Sequence, residues 1–170
     1  MSKLSMPQAI SSLPRLLDNL AHILRKAEEN AKSRDIAPEI FLNARLAPDM
    51  WALNKQVQTM AELCKNAPYR VAGLKAPSYE GVAASFDECY ALLERAKADI
   101  AKVSEADLEG KEDRSFTIKL SHREMDYTGM SYFTGFTIPN VHFHNTTVYN
   151  ILRQNGVPLG KNDYFGAISG

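Results

Sequence analysis

Apolar residues recur at steps of three and four over most of the chain, which is the pattern of amphipathic helices packed around a shared core. Ile10, Leu13, Leu17, Leu20, Leu24, Ala27 and Ala31 form one such stripe, with Arg15, Asp18, His22, Arg25 and Glu29 between them. Pro14 stands near its start, so either Ser11 or Ser12 caps a helix whose first turn accepts the proline, or the first turns are kinked there. The following stretch, SRDIAPEIFLNARLAP, reads as a loop with one helical turn over residues 38–43. A second helix is predicted from near Asp49, with Leu53, Val57, Met60, Cys64 and Ala67 inward, a bend at Pro68 and an end at Gly73; Gln56 shares the inward face. Ser85 and Glu88 have capping-box spacing and open a third helix whose buried stripe is Phe86, Cys89, Leu93, Ala96, Ile100 and Val103.

The period then changes from 3.6 to 2. Phe116, Ile118 and Leu120 alternate with polar residues, as do Met125 and Tyr127, which predicts a small hairpin over residues 114–128 turning at Ser121-His122. A two-stranded ribbon is marginal alone and must pack on the helices. A fourth helix follows from near Ser131, bent at Pro139 and ended by Asn155-Gly156 with Pro158 beyond. The fold class is therefore all-α: a single domain over residues 1–170, built as a four-helix bundle with a β-hairpin between helices three and four. The tail after Asn155 is expected to pack back on the bundle mouth.

Charge sharpens this picture. The 20 Lys+Arg balance 20 Asp+Glu, yet residues 94–126 hold 16 of these 40 charged side chains and residues 127–152 hold none. The charge-free stretch should be mostly buried, and its neutral polar groups should be satisfied internally, because an unpaired buried polar group costs about 1–3 kcal/mol. Thr, Asn, His, Gly and Pro interrupt it too often for a membrane span. Balanced charge without a basic cluster argues against nucleic acid and against a membrane surface as partners. The N-terminus lacks the apolar run of a signal peptide and only Cys64 and Cys89 are present, so a cytoplasmic, reducing location is expected.

Chemistry is expected in the fourth helix. Asn140, His144, Thr147 and Ile151 share one stripe, whereas His142 lies about 160° from His144 and cannot be its partner ligand on a regular helix. His144 is either a core histidine bonded to a neighbouring helix or a ligand or catalytic group. Gln56, with Asp49 upstream, enters the interior from the second helix, either to fix register or to join a site. His22 and His122 read as solvated, Cys64 and Cys89 as inert core residues, and Tyr132, Phe133, Phe136, Phe143 and Tyr149 as core aromatics. Gln56, Asn140, His144, Asp49 and Tyr149 form the candidate polar site. No phosphate loop, GxSxG, HExxH or CxxC occurs.

NVHFHNTTVYNILRQNGVPLG resembles the last helix of the DinB/YfiT-like superfamily. LNARLAPDMWALNKQVQ, FTIKLSHREMDYTG and PNVHFH further resemble an uncharacterised bacterial branch of it, a domain of unknown function of about this length. The resemblance implies a DinB-like four-helix bundle that forms homodimers, and, in members of known activity, a divalent-metal-dependent thiol transferase with a three-histidine site. Carried over onto this chain, the second histidine of the family's pair is His144, the first is Asn140, and the third ligand falls at or within a turn of Gln56. Amide oxygens bind first-row transition metals weakly beside imidazole, so no cofactor is expected in the usual place. Two readings follow: a bundle without the usual metal site whose polar interior around His144 takes a small-molecule ligand or only keeps register, or an enzyme of the thiol-transferase type with a rebuilt Zn or Ni site on His144. Whether the chain is an enzyme stays open at this level.

Overall fold

A computed structural model describes residues 4–120 and 123–166, so the expected turn at Ser121-His122, and with it the solvated role of His122, lies outside the described residues. Short helix α1 (Met6–Ile10) runs into the long α2 (Leu13–Ser33). Neither Ser11 nor Ser12 caps α2: both hydroxyls turn back, to the carbonyls of Gln8 and Ala9 (2.8 Å each), and Pro14 occupies the first turn, where its missing N–H costs no ladder bond. The loop turn is α3 (Pro38–Leu42). Helix α4 (Leu53–Ala72) starts one turn later than Asp49, because residues 44–53 are tied up as a loop. Leu53 N–H bonds Ala44 O (3.0 Å), Met50 N–H bonds Ala47 O (3.0 Å), and Arg45 holds the Met50 carbonyl. The helix continues through Pro68 and stops at Gly73, whose φ of 80° is open to glycine at little cost.

Helix α5 (Phe86–Ile100) is capped by Ser85, whose hydroxyl accepts from Glu88 N–H, while the Glu88 carboxylate bonds Ala84 N–H rather than closing the box on Ser85. After a turn of helix α6 (Glu105–Leu108) come β1 (Ser115–Leu120) and β2 (Arg123–Thr128), antiparallel with Ile118 opposite Met125. The exit of β2 is clamped to its entry: Met130 N–H bonds Glu112 O, and a Cβ on Gly129 would stand 2.1 Å from Lys111 O, so only glycine fits. Thr128 caps α7 (Gly129–Tyr132), two residues before the expected start, and α8 (Ile138–Gln154) completes the fourth long helix. Between them, Phe133–Thr137 form a π-turn in which Ile138 N–H reaches Phe133 O. Pro139 has no N–H to keep the α ladder running at this point, and the wider turn absorbs that gap.

Helices α2, α4, α5 and α8 make the bundle, with α4 packed on both α5 and α8 and α2 closing the ring. Leu17, Leu20 and Leu24 meet Val57, Met60 and Cys64, Phe86 and Leu93, and Val141, Val148 and Ile151 in one core. Burial holds both Cys64 and Cys89 thiols neutral, Cys89 being pushed up to about 12, as expected for inert core residues. The tail forms α9 (Lys161–Phe165) and packs along the α2–α8 seam, where Asn19 donates to the carbonyl of Phe165 (2.7 Å). Asp163 pairs with Lys26 (2.8 Å) and His22 (3.2 Å), and the Lys26 bond in particular holds its carboxyl down to about 2. His22 is exposed, as expected, and also touches the tail through Asp163.

Most of the charge-free stretch is buried or half-buried, but Ser131, Thr134, Gly135, Pro139, Phe143 and Thr146 face solvent. Several of its polar groups bond back one turn along the chain, Asn140 to Phe136 O (2.7 Å) and Thr147 to Phe143 O (2.8 Å) among them. Internal satisfaction is incomplete, however: the Thr137 hydroxyl and both amide atoms of Asn145 are sealed without a partner among the described residues.

Candidate functional site

The two faces of α8 separate the histidines, as 3.6-residue periodicity requires. His142 turns toward α9, where its Nδ1 meets Tyr164 Oη at 3.0 Å. His144 turns toward α4, where its Nδ1 stands 2.6 Å from Gln56 Oε1, with Gln56 2% and His144 7% exposed.

The partners fix the proton positions. The Trp51 carbonyl can only accept, so the Gln56 group bonded to it at 3.1 Å is the Nε2 amine. The Gln56 oxygen therefore faces His144 and must accept, which places the imidazole proton on Nδ1. Burial pushes the His144 pKa below its ordinary value, so the ring is neutral at pH 7 and Nε2 carries a free lone pair. Nε2 has no protein partner among the described residues and is not one of the sealed polar atoms, so it reaches the solvent of the cleft.

That cleft, of about 210 Å³, is lined by Asp49, Met50, Trp51, Gln56, Phe143 and His144. The Trp51 ring lies nearly parallel to His144 (centroids 6.0 Å, 10° between planes), and Phe143 meets the imidazole edge-on (5.3 Å, 86°). Both aromatic walls are exposed, Trp51 by 51% and Phe143 by 57%, so Phe143 is not the core aromatic its sequence context suggests. Lys55 Nζ stands 5.9 Å from the centroid of the Trp51 ring. The pinned loop between residues 44 and 53 holds Trp51 in place.

Of the five candidate residues, the structure brings Asp49, Gln56 and His144 together. Asn140 lies a turn away on α8 with its amide nitrogen committed to Phe136 O. Tyr149 belongs elsewhere: its hydroxyl meets Leu159 O (3.4 Å) and its ring packs edge-on to Tyr164, on the side of α8 that carries the tail. Sequence reasoning missed Trp51, Phe143 and Met50 as walls of the site. The signal for Trp51 was present, since it is the chain's single tryptophan and directly precedes the helix bearing Gln56.

As a donor set the cleft offers one imidazole nitrogen and one exposed carboxylate. Both polar atoms of Gln56 are already used, and no group of three or more His, Cys, Asp and Glu that could hold a metal occurs among the described residues. The same residues could bind a hydrogen-bond donor at Nε2 or accept a proton there.

A family model described as a domain of unknown function (DUF1993) matches residues 6–165. Among solved structures, a DinB family member protein from Shewanella denitrificans is similar with a TM-score of 0.84 at 31% identity, covering 94% of this chain and 90% of that one. No curated protein matches the chain.

Proposed function

The chain belongs to the DUF1993 family of DinB-like helical proteins, and from that premise we propose that it is a small-molecule-binding bundle whose ligand seats between Trp51 and Phe143 and donates a hydrogen bond to His144 Nε2. The observation that carries this reading is the Trp51–Gln56–His144 relay, which locks one tautomer and leaves one lone pair facing an aromatic cleft. Such a device suits a flat ligand with one donor group. A tight Zn or Ni site does not fit the residues present. At the positions where the resemblance implies two of three ligands, Gln56 has its oxygen taken by His144 and Asn140 offers only an amide oxygen, a weak ligand beside imidazole. Under the alternative, a thiol-transferase-type enzyme with a rebuilt site, His144 Nε2 and Asp49 would be the available protein ligands.

Phenol, which carries an O–H donor on a flat ring, and anisole, which lacks it, are suitable probes. Phenol is expected to shift the His144 Nε2 resonance saturably and to quench Trp51, anisole to do neither, and protein purified without a histidine tag to contain metal far below one equivalent. A metal content near one per chain, lost in His144→Ala, would establish the metal reading instead; phenol leaving His144 unmoved would remove the ligand reading.

The reading includes a homodimer formed through the exposed face of α8. A groove of about 540 Å³ beside the cleft is lined by Leu46, Met50, Pro139, Phe143, Thr146 and Asn150 among others, and it carries no Asp, Glu, Lys or Arg. Across a two-fold axis any charged patch meets its own sign near the axis, so a charge-free face is the one that associates with a second copy without repulsion. Sedimentation velocity is expected to show a dimer that Phe143→Glu dissociates into folded monomers. A wild-type monomer at micromolar concentration would refute this.

A further inference from the structure

The tail helix α9 helps form a third cavity, of about 400 Å³, that shares no lining residue with the His144 cleft and shares His142 with the α8 groove. Its apolar walls are Leu16, Ile138 and Phe165, and no Asp or Glu lines it. Arg15 does line it, and Arg15 has no ion pair or hydrogen bond to a side chain or carbonyl among the described residues. The nearby acid on the same helix, Asp18, is taken by Lys97 (2.6 Å), and Asp163 of the tail is taken by Lys26 and His22. Seven of the eight other arginines are committed: Arg34, Arg45, Arg114 and Arg153 to backbone carbonyls, Arg70 to the Tyr132 hydroxyl, and Arg25 and Arg95 to tyrosine rings.

His142 lines the same pocket. Its Nδ1 meets the Tyr164 hydroxyl at 3.0 Å, and that hydroxyl also meets Thr146 at 3.2 Å, which ties the imidazole to the tail. A guanidinium without a partner among the described residues, beside an imidazole and over apolar walls, matches a singly charged acid group on an apolar body.

We propose that the α2–α8–α9 pocket is a binding site for a small amphipathic carboxylate, its carboxylate on Arg15 and His142 and its apolar body against Leu16, Ile138 and Phe165. The pocket volume accommodates a ligand of one or two rings. The site is independent of the His144 cleft and does not rest on that reading.

The test is a titration of the full-length protein with 3-phenylpropionate, with 3-phenylpropionamide as the uncharged control, followed by backbone and side-chain amide NMR. Saturable shifts are expected at Arg15, Ile138 and Phe165, with Trp51 and Phe143 unmoved, and the amide should bind at least tenfold more weakly. Arg15→Gln, a substitution at an exposed position, should weaken the acid at least tenfold while leaving the amide's affinity unchanged, and Arg15→Lys should recover part of the loss. The proposal is overturned if the acid and amide bind alike, if Arg15→Gln does not discriminate between them, if the shifts map to the His144 cleft, or if no saturable binding occurs at millimolar concentrations.

Discussion

Tyr132→Ala is expected to lower the unfolding free energy by about 3–5 kcal/mol, the range for deleting a large aromatic from a core that cannot close around the gap. Tyr132 is fully buried and central to an aromatic cluster. Its ring stacks on Phe136 (5.4 Å, 18°) and receives the edges of Phe116 (5.3 Å) and Tyr127 (5.7 Å), while Arg70 donates to its hydroxyl at 2.9 Å. Phe116 and Tyr127 come from the two strands of the hairpin, which are marginal by themselves. Tyr132 thus anchors the hairpin to the bundle, and its removal should expose residues 115–128 to amide exchange before the helices respond. Tyr132→Phe keeps the ring and loses only the Arg70 bond, so about 1 kcal/mol is expected. Urea denaturation measures both values. Protected hairpin amides in Tyr132→Ala would show that the ribbon is held by something else.

Gln56 should dominate the chemistry of the cleft. In Gln56→Leu the His144 Nδ1–H loses its acceptor in a nearly sealed position, at a cost of about 1–3 kcal/mol, and the single tautomer seen by ¹⁵N NMR should give way to a mixture. Gln56→Glu sets a carboxylate against the imidazole, at the loss of the N–H bond to the Trp51 carbonyl. In the wild type, burial lowers the folded pKa of His144 below its unfolded value, so the unfolded chain takes up the proton first. This contribution to stability is present above about pH 6.5 and is lost as the pH falls below it. The carboxylate introduced by Gln56→Glu favours the imidazolium and raises the folded pKa. The contribution is then fully present below the unfolded pKa and is lost as pH rises through the folded one. Urea midpoints between about pH 5 and 8 should therefore slope in opposite directions for the two proteins. Parallel slopes would mean that Gln56 does not contact His144 as described. The paired Asp163 does not confuse this window, because its contribution is lost only as pH falls from the ordinary carboxylate range toward about 2.

Much of this was legible in the chain. Stripes at steps of three and four gave the four long helices, since a helix must bury one face whatever it packs against, and the switch to period 2 gave the hairpin. The inward position of Gln56 and the opposition of His142 and His144 follow from helical geometry alone. Helix starts were less legible. Ser11 and Ser12 have the right chemistry for a cap but spend it on α1, and Asp49 is cut off from α4 by a loop that Arg45 pins from five residues away.

By itself the sequence determined the all-α class, the charge-free stretch over residues 127–152 and the inward faces that carry Gln56 and His144. These are properties of composition and period, which local chain geometry expresses directly. Tertiary structure alone decided the protonated nitrogen of His144, because a tautomer is set by the partner that packing brings to it, here Gln56 from another helix. It also decided that Phe143 is exposed and Tyr149 is not at the site. Both residues lie on α8, and only the placement of α4 on one side and α9 on the other assigns its faces.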